Sequence, residues 1–385
     1  MSAKPSILAD ENIPYARQAF EDIGRVRLMP GRNMRPDDVR NCDALLVRSV
    51  TTVDAKLLDG SSVAFVGTAT IGTDHADEKY LRKQGIRFAS APGSNALSVA
   101  EYVTAALLEL CAAGILKPPA VTVAVIGVGN VGGRVAAKLD ALGFPSLLND
   151  PPLAEATGDK KYRPLDEILP LADVVTLHVP LTREGPCPTH RMADAAFFAA
   201  MKPGAVFINT SRGSVMDELA LKKALSDNRL SAAVLDVWSE EPDINVETLE
   251  RAFIATPHIA GYSFDGKVRG TQMLYDALAA YLGIPAKWKM EHALPPPVIP
   301  EIALPKCDEP YETVRKAVCA VYDVREDDGR MRKLRLLTPP NRGAYFDCLR
   351  KSYPVRREFP NTRIVGGGDT RALEMLAKCG FQVKG

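Results

Sequence analysis

Residues 121–132 read VTVAVIGVGNVG, an apolar run followed by three glycines in the pattern G-x-G-x-x-G. The apolar run Val121–Ile126 is typical of a buried strand, and an amphipathic helical pattern follows over Val131–Leu142. Between a strand and a helix, the first glycine permits a tight turn, the second lets backbone N–H groups approach a pyrophosphate, and the third allows close packing. The stretch therefore predicts a β-α-β unit that binds a dinucleotide at the N-terminus of its helix.

An acidic residue, Asp150, ends the next strand-like run, Ser146–Asn149. A carboxylate about 20 residues beyond the glycines can accept hydrogen bonds from both ribose hydroxyls of NAD, and it repels the 2′-phosphate of NADP. Pro151 and Pro152 follow it and offer no arginine to neutralise that phosphate. NAD is the predicted cofactor because of this spacing, since a carboxylate here would otherwise be an ordinary cap.

Toward the C-terminus, short apolar runs alternate with helical patterns at ordinary loop lengths. The predicted strands are Val121–Ile126, Ser146–Asn149, Val174–Leu177, Ala205–Ile208 and Ala232–Leu235, with helical patterns at Val131–Leu142 and Glu218–Leu225. This alternation predicts a doubly wound parallel sheet.

The first hundred residues show the same alternation, which predicts another parallel α/β layer. Its strands are expected at Ser6–Ala9, Ala44–Val47, Val63–Val66 and Ile86–Ala89, with helical patterns at Tyr15–Ile23 and Asp54–Leu58. The long apolar face of Ser98–Cys111 suits an interdomain helix, and the pattern from Gly266 to Leu282 could return the chain to the first layer.

A proline-rich stretch, Ala293–Pro305, interrupts this regularity. Prolines cannot occupy a helix interior or a central strand, so the stretch should be an extended connector. Beyond it lie helical patterns at Tyr311–Tyr322 and Thr370–Cys379 and a strand-like Thr362–Val365. This piece is small for an independent core, so we expect it to pack on another subunit.

Composition restricts the class of protein. The 385 residues carry a net charge of +1 and are 46% hydrophobic and 25% charged, which is typical of a soluble globular chain and argues against nucleic-acid or membrane partners. The N-terminus lacks a signal-peptide pattern, and no apolar run approaches the roughly 20 residues of a membrane span. Seven cysteines without C-x-x-C spacing make a disulfide framework or a metal site improbable. A cytoplasmic location is expected.

Three polar segments follow strands of the second series: Ile208–Gly213 (INTSRG), Leu235–Pro242 (LDVWSEEP) and Thr256–Tyr262 (TPHIAGY). The C-terminal ends of parallel strands open on one crevice, where ligands bind. Each segment supplies one reactive side chain. We therefore expect an arginine, a carboxylate and a histidine to meet there, as the oxidation of a hydroxy acid requires.

The residue types suit that chemistry. Arg212 can bind a substrate carboxylate with its planar fork and polarise the oxygen at C2. His258 can accept the hydroxyl proton while a hydride leaves C2, and Glu241 can orient the imidazole and stabilise its charged form. Asp236 is better placed to engage the nicotinamide end. Each could singly be an ordinary surface or capping residue, but together and in this order they indicate a catalytic site.

These segments and the glycine-rich stretch resemble the D-2-hydroxy-acid dehydrogenases over roughly Val121 to Tyr262. The resemblance implies that Arg212, Glu241 and His258 are catalytic. It also implies a split fold, in which the N-terminal segment and a late helix form a substrate domain around an inserted cofactor domain.

Further segments resemble a narrower family, the erythronate-4-phosphate dehydrogenases, over nearly the whole chain. They are 10–15 (DENIPY), 47–51 (VRSVT), 67–75 (GTATIGTDH), 91–96 (APGSNA), 99–103 (VAEYV) and the C-terminal extension. This family oxidises 4-phospho-D-erythronate to 2-oxo-3-hydroxy-4-phosphobutanoate in pyridoxal 5′-phosphate synthesis. It is homodimeric through its C-terminal domain, so the resemblance implies a homodimer for this chain.

The narrower resemblance also implies contact residues. For NAD they are Gly127, Gly129, Asn130, Val131, Gly132, Asp150, Asp236 and Gly261, and for the substrate they are Ser49, Thr70 and Tyr262. Arg48 beside Ser49 suits a dianionic phosphate, but it could equally be a structural ion-pair partner. His75 could line the same pocket or simply begin a helix.

Two positions depart from the family pattern. Val179 stands where a threonine that contacts NAD is expected, which leaves one hydrogen bond in doubt, and Ser94 stands where cysteine is frequent.

The expected fold class is α/β, with two doubly wound parallel-sheet (Rossmann/flavodoxin-like) domains and a small C-terminal α/β dimerisation domain. Residues 1–97 and 265–288 would form the substrate-binding domain, 98–264 the NAD-binding domain and 289–385 the dimerisation domain.

Two alternatives to this function stay open. Another phosphorylated-acid enzyme of the class, such as a 3-phosphoglycerate dehydrogenase, would share the catalytic segments, although the tail lacks an obvious β-α-β repeat of a regulatory module. A non-catalytic NAD-sensing protein on the same fold could also retain the residues, and the phosphate-suited N-terminal segment speaks against it.

Overall fold

The computed structural model describes residues 4–304, 309–366 and 369–383. Pro305 of the connector and Cys307 lie outside these residues, and the six described cysteines are free thiols. No helix in the described ranges is long and apolar enough to cross a membrane.

Helices and strands alternate along most of the chain. Up to residue 95 they are β1 (Ser6–Asp10), α1 (Ala16–Phe20), β2 (Arg25–Met29), α2 (Pro36–Val39), β3 (Ala44–Val47), α3 (Ala55–Leu58), β4 (Phe65–Thr68), α4 (Glu78–Lys83) and β5 (Arg87–Ala89). From 96 to 262 they are α5 (Ala96–Ala112), β6 (Val123–Ile126), α6 (Asn130–Leu142), β7 (Ser146–Asn149), α7 (Pro151–Thr157), α8 (Leu165–Ile168), β8 (Val174–Leu177), α9 (Ala195–Ala200), β9 (Ala205–Asn209), α10 (Glu218–Ser226), β10 (Leu230–Leu235), α11 (Val246–Arg251) and β11 (Ile254–Ala255). The remainder are α12 (Phe264–Tyr281), β12 (Glu301–Ala303), α13 (Pro310–Val321), α14 (Val324–Arg332), α15 (Pro339–Lys351), β13 (Arg363–Val365), α16 (Thr370–Lys378) and β14 (Gln382–Val383).

The chain divides into two compact units. The first comprises the described residues of Met1–Asn95 and Ser263–Pro296, and the second those of Ala96–Tyr262 and Pro297–Gly385. The second unit therefore contains both the glycine-rich stretch and the segment beyond the proline connector. The three-domain division expected from the sequence stays a prediction.

A five-stranded parallel sheet forms the first unit, in the order β2-β1-β3-β4-β5. Alternate side chains of its apolar strands enter the cores on its two faces, and α12 packs on one face through Leu274, Tyr275 and Leu278. The late helix thus belongs to the first sheet, as its pattern indicated. Because the strands are parallel, the loops after β3 and β4 emerge at the same edge.

A six-stranded parallel sheet forms the centre of the second unit, in the order β11-β10-β9-β8-β6-β7. The strand order reverses at β6, so the turn after β6 opens on the crevice where such sheets bind ligands. The ends of β9, β10 and β11 are in register, since Leu235 pairs with Asn209 and with Ala255. Both doubly wound parallel sheets expected from the sequence are present.

The C-terminal segment, residues 297–383, has a small parallel sheet, β12-β13-β14, and helices α13 to α16. It packs on its own chain, and the expected packing on another subunit stays a prediction. Helix α13 lies on α5 and α16 lies on α6. Val314, Leu376 and Phe359 belong to the same apolar core as Val123 of β6 and Leu139 of α6. The segment gains its core by extending that of the second sheet.

Candidate active site

The glycine-rich turn after β6 has the geometry that its sequence predicts. Gly127 has φ +83°, and a Cβ there would lie 2.7 Å from the carbonyl oxygen of His178. A Cβ on Gly132 would overlap the carbonyl oxygen of Gly127, so only glycine lets α6 begin this close to β6. A Cβ on Gly129 meets nothing within 4 Å, so this stretch of backbone borders open space at the helix N-terminus. Asn130 and Val131 form the first turn of α6.

Asp150 connects the end of β7 to this turn. One carboxylate oxygen accepts a hydrogen bond from the Val128 N–H at 2.7 Å, and the other caps α7 by accepting from the Leu153 N–H at 3.0 Å. The residue therefore is a helix cap, and it also places a carboxylate beside the glycine-rich turn. Each oxygen has two lone pairs, so both can accept further hydrogen bonds from a ribose.

His258 and Glu241 form a hydrogen-bonded pair. Nδ1 of His258 lies 2.7 Å from Oε2 of Glu241, and the other carboxylate oxygen accepts from the Trp238 N–H at 2.9 Å. Burial raises the pKa of Glu241, but the charge and hydrogen bond of His258 and the Trp238 N–H outweigh it, so the pKa lies below its usual value. The glutamate is therefore held ionised behind the imidazole.

The backbone at His258 is unusual, with φ +58°. A non-glycine residue in the left-handed region is strained, and such strain persists where surrounding contacts fix the conformation. Asp236 supplies these contacts: its backbone oxygen accepts from the His258 N–H at 2.7 Å, and its carboxylate accepts from the N–H groups of Ile259 and Ala260 at 2.7 and 2.9 Å. The Thr256 hydroxyl donates to the same carboxylate at 2.7 Å.

Asp236 is thus the anchor of the histidine loop. It is 1% exposed, and burial raises its pKa despite the opposing effect of His258 and these donors. The contact to nicotinamide suggested by the family resemblance stays a prediction. Tyr102 adds to this hydrogen-bond network, because its hydroxyl lies 2.8 Å from that of Thr256.

Arg212 lies on the loop after β9, beside the loop that carries Glu241. A Cβ on the next residue, Gly213, would overlap the backbone of Trp238, so the two loops are in direct contact. The guanidinium of Arg212 donates to the Ser211 carbonyl at 2.8 Å. The arginine, glutamate and histidine segments therefore converge at adjacent strand ends within the second unit, as the order of the motifs predicts.

The loop after β8 joins this edge through His178. Its ring nitrogens lie 3.0 Å from the Thr176 hydroxyl and 3.1 Å from the Thr210 hydroxyl. Burial of the ring lowers its pKa to about 3, so the ring is neutral at ordinary pH. The neighbouring Val179 packs its side chain toward Gly127, so it borders the glycine-rich turn without offering a hydrogen bond there.

The first unit holds four of the predicted substrate contacts, Arg48, Ser49, Thr70 and His75. The Thr68 hydroxyl lies 2.8 Å from that of Thr70 and 2.9 Å from Nε2 of His75. Arg48 and Ser49 follow β3 at the same sheet edge as Thr70, since Val47 and Thr68 are paired. Arg48 is partly buried, and no carboxylate among the described residues forms an ion pair with it. Ser49 is exposed.

Two kinds of residue were missed by reasoning from the sequence. Trp238, Thr256 and Tyr102 build the frame around the histidine and lie in or near the quoted motifs, so their hydrogen-bonding groups were a signal. Arg350 of α15, whose guanidinium carbon lies 5.9 Å from the ring centroid of Tyr262, is far along the chain and belongs to no motif. The predicted contact residues Gly261 and Tyr262 lie at the end of the loop that carries His258.

Comparison with known proteins agrees with this geometry. Residues 113–260 match the family model described as D-isomer specific 2-hydroxyacid dehydrogenase, NAD binding domain, and residues 293–380 match a domain of unknown function. The fold resembles a D-lactate dehydrogenase from Aquifex aeolicus, with a TM-score of 0.58 and 25% identity over 72% of this chain and 96% of that one. A 3-phosphoglycerate dehydrogenase from Entamoeba histolytica gives 0.63 at 21% identity over 73% and 96%, which shows the fold alone.

The doubly wound sheet, the glycine-rich turn and these matches define an NAD-dependent oxidoreductase of the D-2-hydroxyacid dehydrogenase class. Relatives over the full chain are more specific. An erythronate-4-phosphate dehydrogenase from Marinobacter nauticus is 46% identical over 98% of this chain and 99% of its own. One from Salinibacter ruber is 48% identical over 98% of both. The chain belongs to the erythronate-4-phosphate dehydrogenase family.

Proposed function

We propose that this chain oxidises 4-phospho-D-erythronate at C2 to 2-oxo-3-hydroxy-4-phosphobutanoate, with His258 as the general base. We base the choice of substrate on the erythronate-4-phosphate dehydrogenases, which are 43–48% identical to this chain. The 3-phosphoglycerate dehydrogenase of similar fold is only 21% identical. One observation supports the base: Nδ1 of His258 is engaged by Glu241 at 2.7 Å. Nε2 is then the nitrogen available to the substrate hydroxyl.

Three side chains divide the work of the reaction. Arg212 binds the substrate carboxylate and polarises the C2 oxygen. His258 takes the hydroxyl proton on Nε2 while Nδ1–H donates to Glu241. The ionised Glu241 balances the positive charge that forms on the imidazole, and its low pKa keeps it ionised for this purpose.

The residues around the second sheet fit NAD. Gly127 and Gly132 cannot carry a Cβ, Gly129 borders open space, and Asp150 stands beside the turn. When bound, NAD supplies the acceptor for the hydride from C2. Asn130, Val131, Val179, Asp236 and Gly261 are the further contacts that we propose on this edge.

For the substrate, we propose Arg48, Ser49, Thr70, His75 and Tyr262 as contact residues. Arg48 carries a charge without a carboxylate partner among the described residues, which suits a phosphate dianion. The Thr68–Thr70–His75 hydroxyl and imidazole network suits a polyhydroxylated acid.

We propose that the active form is a cytoplasmic homodimer. Residues 1–97 and 265–288 would bind substrate, 98–264 would bind NAD, and 289–385 would dimerise. In support, the C-terminal region exposes the large apolar side chains Val298 (81%), Leu336 (77%) and Val355 (52%), which a second copy could cover. Light scattering of Leu336→Glu should show loss of the dimer, and an unchanged dimer for each of the three glutamate variants contradicts this interface.

The deciding experiment for the reaction is competitive turnover of 4-phosphoerythronate and 3-phosphoglycerate by the purified full chain with NAD. We expect a clear preference for 4-phosphoerythronate in kcat/KM. Preference for 3-phosphoglycerate overturns the substrate, and tight NADH binding without turnover of either acid favours a sensing protein. If product release limits the rate, the assay is run in the reverse direction.

A further inference from the structure

Helix α15 of the C-terminal segment lies against the loop that carries Glu241. A Cβ on Gly343 would lie 2.6 Å from Oδ1 of Asp243 and 3.3 Å from Pro242. Phe346, one turn later, is fully buried in the core that also contains Trp238. The helix is therefore fixed beside the residues that follow Glu241.

Arg350 lies one further turn along the same face of α15, because residues three to four apart share a helix face. Its guanidinium carbon lies 5.9 Å from the ring centroid of Tyr262 and 6.0 Å from that of Phe346, which is within the range of a cation–π contact. The edge of the Tyr353 ring also meets Tyr262, with centroids 5.7 Å apart at 87°. Two residues of the C-terminal segment thus hold Tyr262.

The positive charge of Arg350 also interacts electrostatically with Glu241 and Tyr262. The groups that face it are Glu241 and Tyr262 from the second sheet and Asp347, 4.0 Å away, from its own helix. Its side chain is 20% exposed, and its Nε is buried without a hydrogen-bond partner among the described residues. Besides burial and His258, Arg350 acts on Glu241 and lowers its pKa. A surface arginine in a solvated ion pair would show none of these features.

We propose that Arg350 is a positioning residue for the oxidation: it orients the Tyr262 side chain through its contact with the ring, and its positive charge acts on the Glu241–His258 pair. This inference rests on the proposed function, which assigns roles to those residues. It also gives a task to the C-terminal segment, whose matching family model carries no function. The segment completes the active site of its own chain.

The physical effect is twofold. The contact between the guanidinium and the ring helps to orient the Tyr262 side chain, so loss of Arg350 loosens a group that is proposed to touch substrate. The positive charge near Glu241 opposes further positive charge on the pair, so its loss makes the Glu241–His258 pair easier to protonate. His258 must be unprotonated to act as the base. If it is protonated more readily, activity should therefore appear only at a higher pH.

The test compares R350Q with R350K and with K351Q, which removes the same charge from the adjacent, exposed position. For R350Q we expect kcat to fall about tenfold, KM to change less than about threefold, and the acid limb of kcat/KM to move up by about 0.3 pH units or more. R350K should restore the acid limb and only part of kcat, since an ammonium keeps the charge but lacks the planar fork. K351Q should behave like the unchanged chain.

A double-mutant cycle separates positioning from general destabilisation. If Arg350 acts through the ring of Tyr262, R350Q should cost less kcat in a Y262L background, which lacks the ring, than in the unchanged chain. Additive losses contradict this. A tenfold or larger rise in KM with unchanged kcat and pH profile would instead make Arg350 a direct substrate ligand and overturn the inference.

A readout without substrate keeps this inference separate from the proposed reaction. The imidazole of His258 can be titrated by NMR in NAD-free chain, with H258N to identify its signal. We expect the midpoint to rise in R350Q and not in R350K, and an unchanged midpoint in R350Q overturns the electrostatic part. If the chain failed to oxidise 4-phosphoerythronate, that result would refute the proposed function but would leave the inference about Arg350 standing.

Discussion

Two histidines occupy strand ends of the second sheet in opposite settings. His258, on the loop after β11, is backed by a carboxylate at 2.7 Å and keeps 31% of its side chain exposed. His178, on the loop after β8, lies between two threonine hydroxyls, and burial lowers its pKa to about 3. The first is equipped to gain a proton, whereas the second stays neutral and joins two loops. The partner, rather than the residue type, decides the role.

The largest expected effect is that of His258→Ala. Without the imidazole no group on this loop can take the hydroxyl proton, so kcat should fall at least about 100-fold while NAD binding stays intact. Steady-state kinetics and NADH fluorescence titration measure the two quantities. A near-normal kcat would remove His258 from its proposed role.

Glu241→Gln tests the carboxylate that distinguishes the two histidines. The amide cannot balance a positive imidazole, so we expect kcat to fall about 10- to 100-fold with a smaller change in KM. The acid limb of the pH profile should move down, because the neutral partner no longer favours protonation. An acid limb that stays in place would separate Glu241 from the base.

His178→Asn tests the neutral histidine, through stability rather than rate. In the unchanged chain the unfolded state binds a proton below pH about 6.5, whereas the folded ring resists protonation down to about 3. Stability should therefore fall as pH falls through this window, by at most about 1.4 kcal/mol per pH unit from this group. The variant should show a flatter dependence in urea unfolding from pH 6.5 to 4.5.

The same variant should change kcat less than about fivefold, since His178 joins loops and does not transfer protons. A pH dependence of stability identical to that of the unchanged chain would show that His178 protonates freely in the folded state. His292→Asn, at an exposed position without a proposed role in the site, serves as the comparison variant.

Val179→Thr is the smallest change. The added hydroxyl would stand beside Gly127, where the family pattern places a contact to NAD. We expect the KM for NAD to fall by about two- to threefold with kcat unchanged, as one modest hydrogen bond allows. Initial rates at varied NAD check this, and a raised KM would show that the apolar side chain is better suited to this loop.

Most of the fold could be predicted because buried parallel strands are short apolar runs between helical patterns. β2 (RVRLM) was missed because alternating arginines mark an exposed edge strand, and β11 was missed because it is only two residues long. Helices α14 and α15 escaped because their sequences are rich in charge and contact the core through few residues, such as Met331 and Phe346.

The same reasoning applies to the site. Arg212, Glu241 and His258 follow successive strands, so the topology of a parallel sheet brings their loops together. No such rule brings α15 to the loop after β10, because that contact depends on how a distant segment packs. The sequence also pointed to Asp236 as a ligand contact, while its hydrogen bonds to the histidine loop depend on the conformation of that loop.

The core that the C-terminal segment shares with the second sheet limits how this protein can be divided. Proteolysis or truncation at the proline connector would strip the cover from α5 and α6 and leave apolar surface exposed to water. The segment therefore cannot be grafted onto another dehydrogenase as an independent module. To exchange the C-terminal segment between relatives, one would also have to transfer the faces of α5 and α6 on which it packs.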